Sequence, residues 1–201
     1  MNKVRAIRLG AAAIAAAGVL SACSGNSGTP TPVGSTGSSA AASSSAAQLA
    51  PSVPSPLPTD QLVSNPCSAL SADQVTQTGL TGAGQADQDQ AGPRCMWKSA
   101  TSTFNYVYIS PVTANKNGLS NIYALKAQDA YFEPTTVSGY PAVYASIQDT
   151  RSAGNCSLWV GVTDQLAVSV TAQIGSGPNK SNPCPVAERI ATAMITHLQS
   201  Q

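Results

Sequence analysis

Apolar residues recur at two spacings in the second half of the chain, and each spacing predicts a different element. A stripe at helical spacing follows Pro183 and Pro185, which suit a first helical turn, so we predict a C-terminal helix. This stripe consists of Ala187, Ile190, Ala191, Met194 and Leu198. Segments rich in β-branched and aromatic residues and bounded by turn residues predict strands. They span 104–109, 134–137, 140–147, 156–163 and 166–174.

Other local signals complete the predicted order of elements. Ser71 and Gln74 form a capping-box pattern and Gly79 suits a helix stop, so a short helix is expected over 71–78. Residues 79–94, rich in Gly and Gln, are predicted as a loop, and a weaker helical spacing predicts a middle helix around Leu119, Ile122, Tyr123 and Lys126. Turn-like residues at 149–155 and 163–165 favour an antiparallel meander. The predicted fold class is α+β, with an antiparallel β-sheet of about five to seven strands packed against N- and C-terminal helices.

The parity of strand positions assigns side chains to two faces of this sheet. One face is aliphatic and is expected to pack against the C-terminal helix: Val107, Ile109, Val143, Ile147, Leu158, Val160, Val162, Leu166, Val168 and Val170. The other face collects aromatic and hydroxyl side chains: Phe104, Tyr106, Tyr108, Tyr140, Tyr144, Trp159, Ser169 and Thr171. Rings with polar tips suit a half-exposed ligand surface, so Tyr106, Tyr108, Tyr144 and Trp159 are candidate ligand-binding residues. The alternative is a second core layer, with the middle helix or a loop covering this face.

The N-terminal segment has the pattern of a bacterial lipoprotein signal peptide. Lys3, Arg5 and Arg8 precede an apolar run over 10–20 that is too short to span a bilayer, and Leu20-Ser21-Ala22-Cys23 fits a lipobox. We predict cleavage after residue 22 and diacylglyceryl modification of Cys23, which would anchor the protein to the extracytoplasmic face of the cell membrane. The alternative is an ordinary secreted protein with a chance cysteine.

Residues 24–59 carry no charge and consist almost wholly of Ser, Gly, Thr, Pro and Ala. This composition cannot bury enough apolar area to offset its backbone entropy, so residues 23–64 are predicted to be a lipidated cysteine followed by a disordered tether. The folded domain is then expected over 65–201.

That domain contains four cysteines, an even number that predicts two disulfides in an oxidising compartment. Three pairings are open, but two helix-start cysteines, Cys67 and Cys184, each lie 28 positions from a strand-start cysteine, Cys95 and Cys156. We therefore predict Cys67–Cys95 and Cys156–Cys184. A zinc site is the competing interpretation, but the chain has no CxxC pair and only one histidine, His197.

Composition excludes several classes of function. Ten Lys+Arg against nine Asp+Glu leave no basic surface for nucleic acid, and removal of the signal peptide makes the chain mildly acidic. No G-x-S-x-G, H-E-x-x-H or Walker motif is present. Carboxylate chemistry could use Asp87 with Asp89, or Asp129 with Glu133, and the first pair could also hold calcium weakly, but solvated loop charge is the simpler interpretation. We predict no enzyme activity, no cofactor and no metal.

Several motifs in order resemble a known family. They are Asn65-Pro66-Cys67 with Leu70, Cys95 with Trp97, the segment 137–143 (VSGYPAV), the Cys156 strand and the Cys184 helix, after the lipobox and the tether. Together they resemble the actinobacterial lipoproteins classed as domain of unknown function 3558. The resemblance implies an envelope lipoprotein with an α+β fold similar to Mog1/PsbP-like sandwiches, and it supplies no catalytic residues.

Three functions remain open from sequence. The first, which we favour, is a monomeric, tethered, non-catalytic binding module that contacts an envelope protein, glycan or lipid. The second is a carrier of a small lipid or glycan in an aromatic pocket. The third is a cell-wall enzyme that uses paired carboxylates.

Overall fold

The computed structural model describes residues 48–201, which belong to one compact unit. The predictions on the signal peptide, on Cys23 and on the first part of the tether lie outside the described residues. None of the helices between Gln48 and Gln201 has the length and apolar character needed to cross a bilayer.

Seven strands and four α-helices make up the described chain. The helices are α1 (Asp60–Ser64), α2 (Ala72–Gln77), α3 (Leu119–Tyr123) and α4 (Cys184–Gln199). The strands are β1 (Leu80–Asp89), β2 (Gly92–Ser99), β3 (Asn105–Pro111), β4 (Tyr131–Val137), β5 (Tyr140–Ser146), β6 (Asn155–Thr163) and β7 (Leu166–Ile174). Short 3₁₀ turns lie at Pro66–Ala69, Lys126–Gln128 and Arg151–Ala153. The predicted α+β class is confirmed, as is the helix with its Ser71–Gln74 capping box.

All strands join one antiparallel sheet in the order β1-β2-β3-β7-β6-β5-β4. The predicted loop over 79–94 is wrong, because most of it forms the β1–β2 hairpin. This segment has few β-branched residues and lies at the sheet edge, where pairing with β2 rather than local propensity makes it a strand. Gly84 in β1 lets β2 approach closely, since a Cβ there would lie 2.7 Å from the Trp97 indole.

One side of the sheet, here called the helix face, packs against α1, α2 and α4. Trp97, Ile109, Leu158 and Val170 are buried there against Ile190, Met194 and Leu198 of α4, as the apolar stripe predicted. The Gln74 side-chain amide donates to the Ala193 carbonyl at 2.8 Å and ties α2 to α4.

Both predicted disulfides are present. Cys67–Cys95 joins the first 3₁₀ turn to β2, and Cys156–Cys184 joins β6 to the first residue of α4, with Cα–Cα distances of 5.0 and 5.1 Å. Each closes 28 positions of chain. Loops of this length contribute about 3–4 kcal/mol each in the chain-entropy model.

The other side of the sheet is covered only in part. The middle helix, α3, packs on β5, β6 and β7 in a small apolar cluster: Ala50, Leu119, Ile122, Val143, Ala145 and Ala167. The surface formed by β2, β3 and the C-terminal half of β7 lies outside this cluster. We call this uncovered surface the open face; it includes Arg94, Met96, Tyr106, Tyr108, Thr171 and Gln173, which alternate with residues buried on the helix face.

The assignment of residues 48–64 to the tether is wrong. Val53, Leu57 and Leu62 are buried in the main core, and Leu57 N–H donates to the Val162 carbonyl at 3.0 Å. Tyr140 Oη also donates to the Ser55 carbonyl at 3.0 Å. Three buried apolar residues lie among the many Pro and Ser residues of this segment, so its average composition does not predict its structure.

Candidate functional site

The structure divides the four candidate aromatic residues between the two faces of the sheet. Tyr106 and Tyr108 lie on the open face, and Trp159 lies where the open face meets the α3 cluster. Tyr144 lies on the helix face, opposite Leu158. The four rings therefore do not line one aromatic pocket.

The parity prediction failed on β5. Tyr140, Ala142 and Tyr144 face α4, whereas Val143 faces the α3 cluster and Ile147, beyond the strand end, is 70% exposed. Almost every position of β5 is apolar and buried, so its sequence carries no alternation from which a face could be chosen.

Tyr144 is engaged with the C-terminal helix. Its hydroxyl donates to Glu188 Oε2 at 2.9 Å. Burial is the main cause that raises the pKa of the phenol, and the hydrogen bond to the Glu188 carboxylate raises the pKa further. Tyr144 thus joins β5 to α4 and is not part of the open face.

Tyr108 and Trp159 flank a shallow groove of about 100 Å³ on the open face. Hydroxyl groups line it between the two rings: Ser110, Ser169 and Thr171, with Ser169 and Thr171 3.3 Å apart at their side-chain oxygens. Trp159 is held in place because its indole N–H donates to the Ala145 carbonyl at 2.9 Å. The groove thus combines aromatic edges with hydrogen-bonding groups on a rigid sheet.

Arg94 forms the charged side of the groove. Its guanidinium lies over the Tyr108 ring, 4.4 Å from the centroid, and bonds Asp87 at 2.6 Å and Asp89 at 3.0 Å. The pKa of Asp87 is lowered, first by a hydrogen bond from the Gln88 N–H and then by Arg94. Donors and acceptors of opposite charge therefore lie beside a half-buried aromatic ring. Because the sequence predicts a loop over 79–94, it gives no indication of this arrangement.

A larger cleft, of about 410 Å³, lies at the end of the sheet beside the start of α4. Three loops and the ends of β1, β2, β3 and β7 form it, and Tyr106 is among its lining residues. Sequence reasoning missed this cleft, because it is assembled from segments far apart in the chain. Its only sequence signals are two loops rich in small polar residues, Ser-Ala-Thr-Ser at 99–102 and Gly-Ser-Gly-Pro-Asn at 175–179.

The candidate carboxylates are engaged separately. Asp87 and Asp89 converge on Arg94, while Glu133 bonds Arg151 at 2.9 Å. Asp129 stands apart from that pair, with its Oδ2 buried and unpartnered among the described residues and its pKa raised by burial. His197 lies half-buried in the last turn of α4. Within residues 48–201, no three His, Cys, Asp or Glu side chains are grouped to hold a metal.

Comparison with known proteins gives one match. The family model described as protein of unknown function (DUF3558) matches residues 18–197. The chain matches no curated protein and no solved structure. The family match spans the large majority of the chain, and it confirms the resemblance carried by the cysteine, tryptophan and Val-Ser-Gly-Tyr motifs. The chain therefore belongs to the DUF3558 family.

Proposed function

We propose that this protein is a lipid-anchored, non-catalytic binding module of the cell envelope that presents the groove of the open face to a glycan. The observation that carries the proposal is this groove, where Tyr108 and Trp159 flank hydroxyl groups beside the Arg94 ion pairs. An extended ligand rich in hydroxyls suits such a surface, because rings supply apolar contact and paired charges supply donors and acceptors. A groove of about 100 Å³ accommodates part of such a chain rather than enclosing a whole small molecule.

The described chain begins at the end of the sheet opposite to the larger cleft. Leu49 and Ala50 N–H donate to Ser120 Oγ at 3.2 Å, and Val53 N–H donates to Asp164 Oδ1 at 2.9 Å. The described chain thus begins beside the β6–β7 turn. From this turn β7 runs nine residues to Ile174, a distance of about 27 Å. An anchor preceding residue 48 would therefore be joined to the domain at this end of the sheet.

The side-chain geometry supports a non-catalytic role. Glycosidic chemistry needs two carboxyl groups on opposite sides of a bond, one of which is free to give a proton. Asp87 and Asp89 instead share one guanidinium, and Glu133 shares another with Asp149. Asp129 is unpartnered among the described residues, but its candidate partner Glu133 is engaged by Arg151, so the four candidate carboxyl groups supply no second free one. Binding through paired charges and rings requires no such free acid.

The anchor is tested by fractionation. We expect Cys23→Ala to move the protein from the membrane fraction to the soluble fraction, because the thiol would carry the acyl chains. Immunoblotting of the two fractions measures this. Unchanged membrane partitioning of the variant would contradict the lipid anchor.

The groove is tested by calorimetric titration with soluble glycan fragments released from the cell envelope. We expect Tyr108→Ala to weaken binding about tenfold, which corresponds to about 1.4 kcal/mol. Phe104→Ala is the matched control, since Phe104 is 70% exposed and lies outside the groove. Equal affinity of the parent and Tyr108→Ala for the glycan fragments would refute binding in the groove. Capture of an envelope protein that depends on Tyr108, without glycan binding, would refute a glycan as the ligand.

A further inference from the structure

The cleft at the end of the sheet has the size of a small-molecule site. Its volume of about 410 Å³ lies within the roughly 300–1,000 Å³ typical of ligand pockets. It does not include the groove residues Tyr108 and Trp159, so it is a separate surface from the one proposed for glycan binding.

Hydrogen bonds between the loops hold the cleft open. Asn105 exchanges two bonds with Ser176, both at 3.1 Å, and the Ser102 and Ser176 hydroxyls lie 2.8 Å apart. On the opposite wall, Ala100 N–H donates to the Gly79 carbonyl at 3.0 Å. The Cys156–Cys184 disulfide fixes the start of α4 on the sheet. A ligand would therefore find these walls already in position, which reduces the entropy lost on binding.

Apolar and polar residues form different parts of the cleft lining. Leu80, Val107, Ile174 and Val186 are buried and supply the apolar part of the wall, while hydroxyls of the 99–102 loop lie at the polar part. Arg189 of α4 is the single charged residue of the lining. In the described part of the chain no acidic side chain forms a salt bridge with it, unlike Arg94 and Arg151.

We propose that this cleft binds a small organic anion, with its apolar body against Leu80, Val107 and Ile174 and its carboxylate, sulfonate or phosphate group on Arg189. A planar guanidinium suits each of these groups, because it donates two parallel hydrogen bonds to adjacent oxygens. The absence of acidic residues from the lining removes the repulsion that an anion would otherwise meet. The proposal stands independently of the groove between Tyr108 and Trp159 and of its glycan.

Two fluorescent probes of similar size test the proposal. Anilinonaphthalene sulfonate carries an anionic group on an apolar body, and N-phenylnaphthylamine is its neutral counterpart. Both are titrated into the Cys23→Ala chain, which retains every described residue and lacks the predicted acylation site. We expect saturable binding of both probes, with Arg189→Gln weakening the sulfonate about tenfold and leaving the neutral probe within twofold of the parent.

Further variants test whether the two probes bind in the cleft. Lys116→Gln removes one positive charge outside the cleft lining and should leave both affinities unchanged. Thr101→Trp should abolish binding of both probes by filling the cleft, and Asn179→Trp replaces it if near-ultraviolet circular dichroism shows that the first variant does not fold. No saturable binding, an equal loss of both probes in Arg189→Gln, or full binding in the filled variant would overturn the proposal.

Discussion

At the residue scale, the salt bridges of the described chain form two clusters of the same design. Arg94 contacts two acidic residues and lies over Tyr108, while Arg151 contacts Glu133 and Asp149 and lies over Tyr131 at 4.1 Å. In each cluster, a tyrosine ring and two carboxylates restrict the guanidinium. These cation–π contacts orient the arginines, which is why Arg94 can serve as a fixed element of the groove.

The second cluster gives a pH prediction. In this cluster, hydrogen bonds from Arg151 lower the pKa of the Asp149 carboxyl group to about 2, from an ordinary value of 3.8. Because the folded-state pKa is depressed, this group stabilises the fold above about pH 4, and the contribution is lost as the pH falls through about 2. We expect Asp149→Asn to lower the free energy of unfolding at pH 6 and to have less effect near pH 2. Urea titrations at both pH values measure this, and an equal effect at both would contradict it.

The faces of individual residues could be predicted on some strands and not on others. On β3 and β7, polar and apolar positions alternate. As predicted, one face of the sheet carries Tyr106, Tyr108 and Thr171, and the other face carries Val107, Ile109 and Val170. On β5 the alternation is absent, and Tyr144 was placed on the wrong face. Its true position depends on the register of β5 against β6, a tertiary property that is not encoded in local spacing.

At the element scale, the N-terminal segment is part of the fold. Three apolar residues of this segment are buried in the main core: Val53, Leu57 and Leu62. The last of them lies in α1. Sequence composition predicted a tether up to residue 64, because a window average dilutes isolated anchors among Pro and Ser. The β1–β2 hairpin was missed for a related reason, since its edge strand is exposed apart from Leu80 and Gly84.

The segment's role is tested by a pair of neighbouring substitutions in α1. Leu62 is 0% exposed, so we expect Leu62→Ala to lower the free energy of unfolding by about 2–5 kcal/mol. Gln61 is exposed in the same helix, and Gln61→Ala should change it by less than about 0.5 kcal/mol. Denaturant unfolding of the three proteins gives both values. Equal stability of the two variants would mean that α1 does not pack on the domain.

At the scale of the whole molecule, the sheet separates two surfaces and gives each a rigid support. The helix face is covered by α1, α2 and α4, and two disulfides join β2 to the first 3₁₀ turn and β6 to α4, with the pairing predicted from matching sequence contexts. The open face keeps a groove beside Tyr108 and Trp159, and the cleft near Arg189 lies at the end of the sheet, far from the β6–β7 turn. The cleft could not be predicted, since its walls come from four separate parts of the chain.

The central claim is that the open face is the surface that binds an envelope glycan. Its most direct test is to map the amide chemical shifts of the ¹⁵N-labelled Cys23→Ala chain during titration with soluble envelope glycan fragments. We expect saturable shifts clustered at Arg94, Tyr108, Thr171 and Gln173, with Glu188 and Arg189 unchanged. Shifts that cluster instead on α4, or no saturable shifts at all, would contradict it.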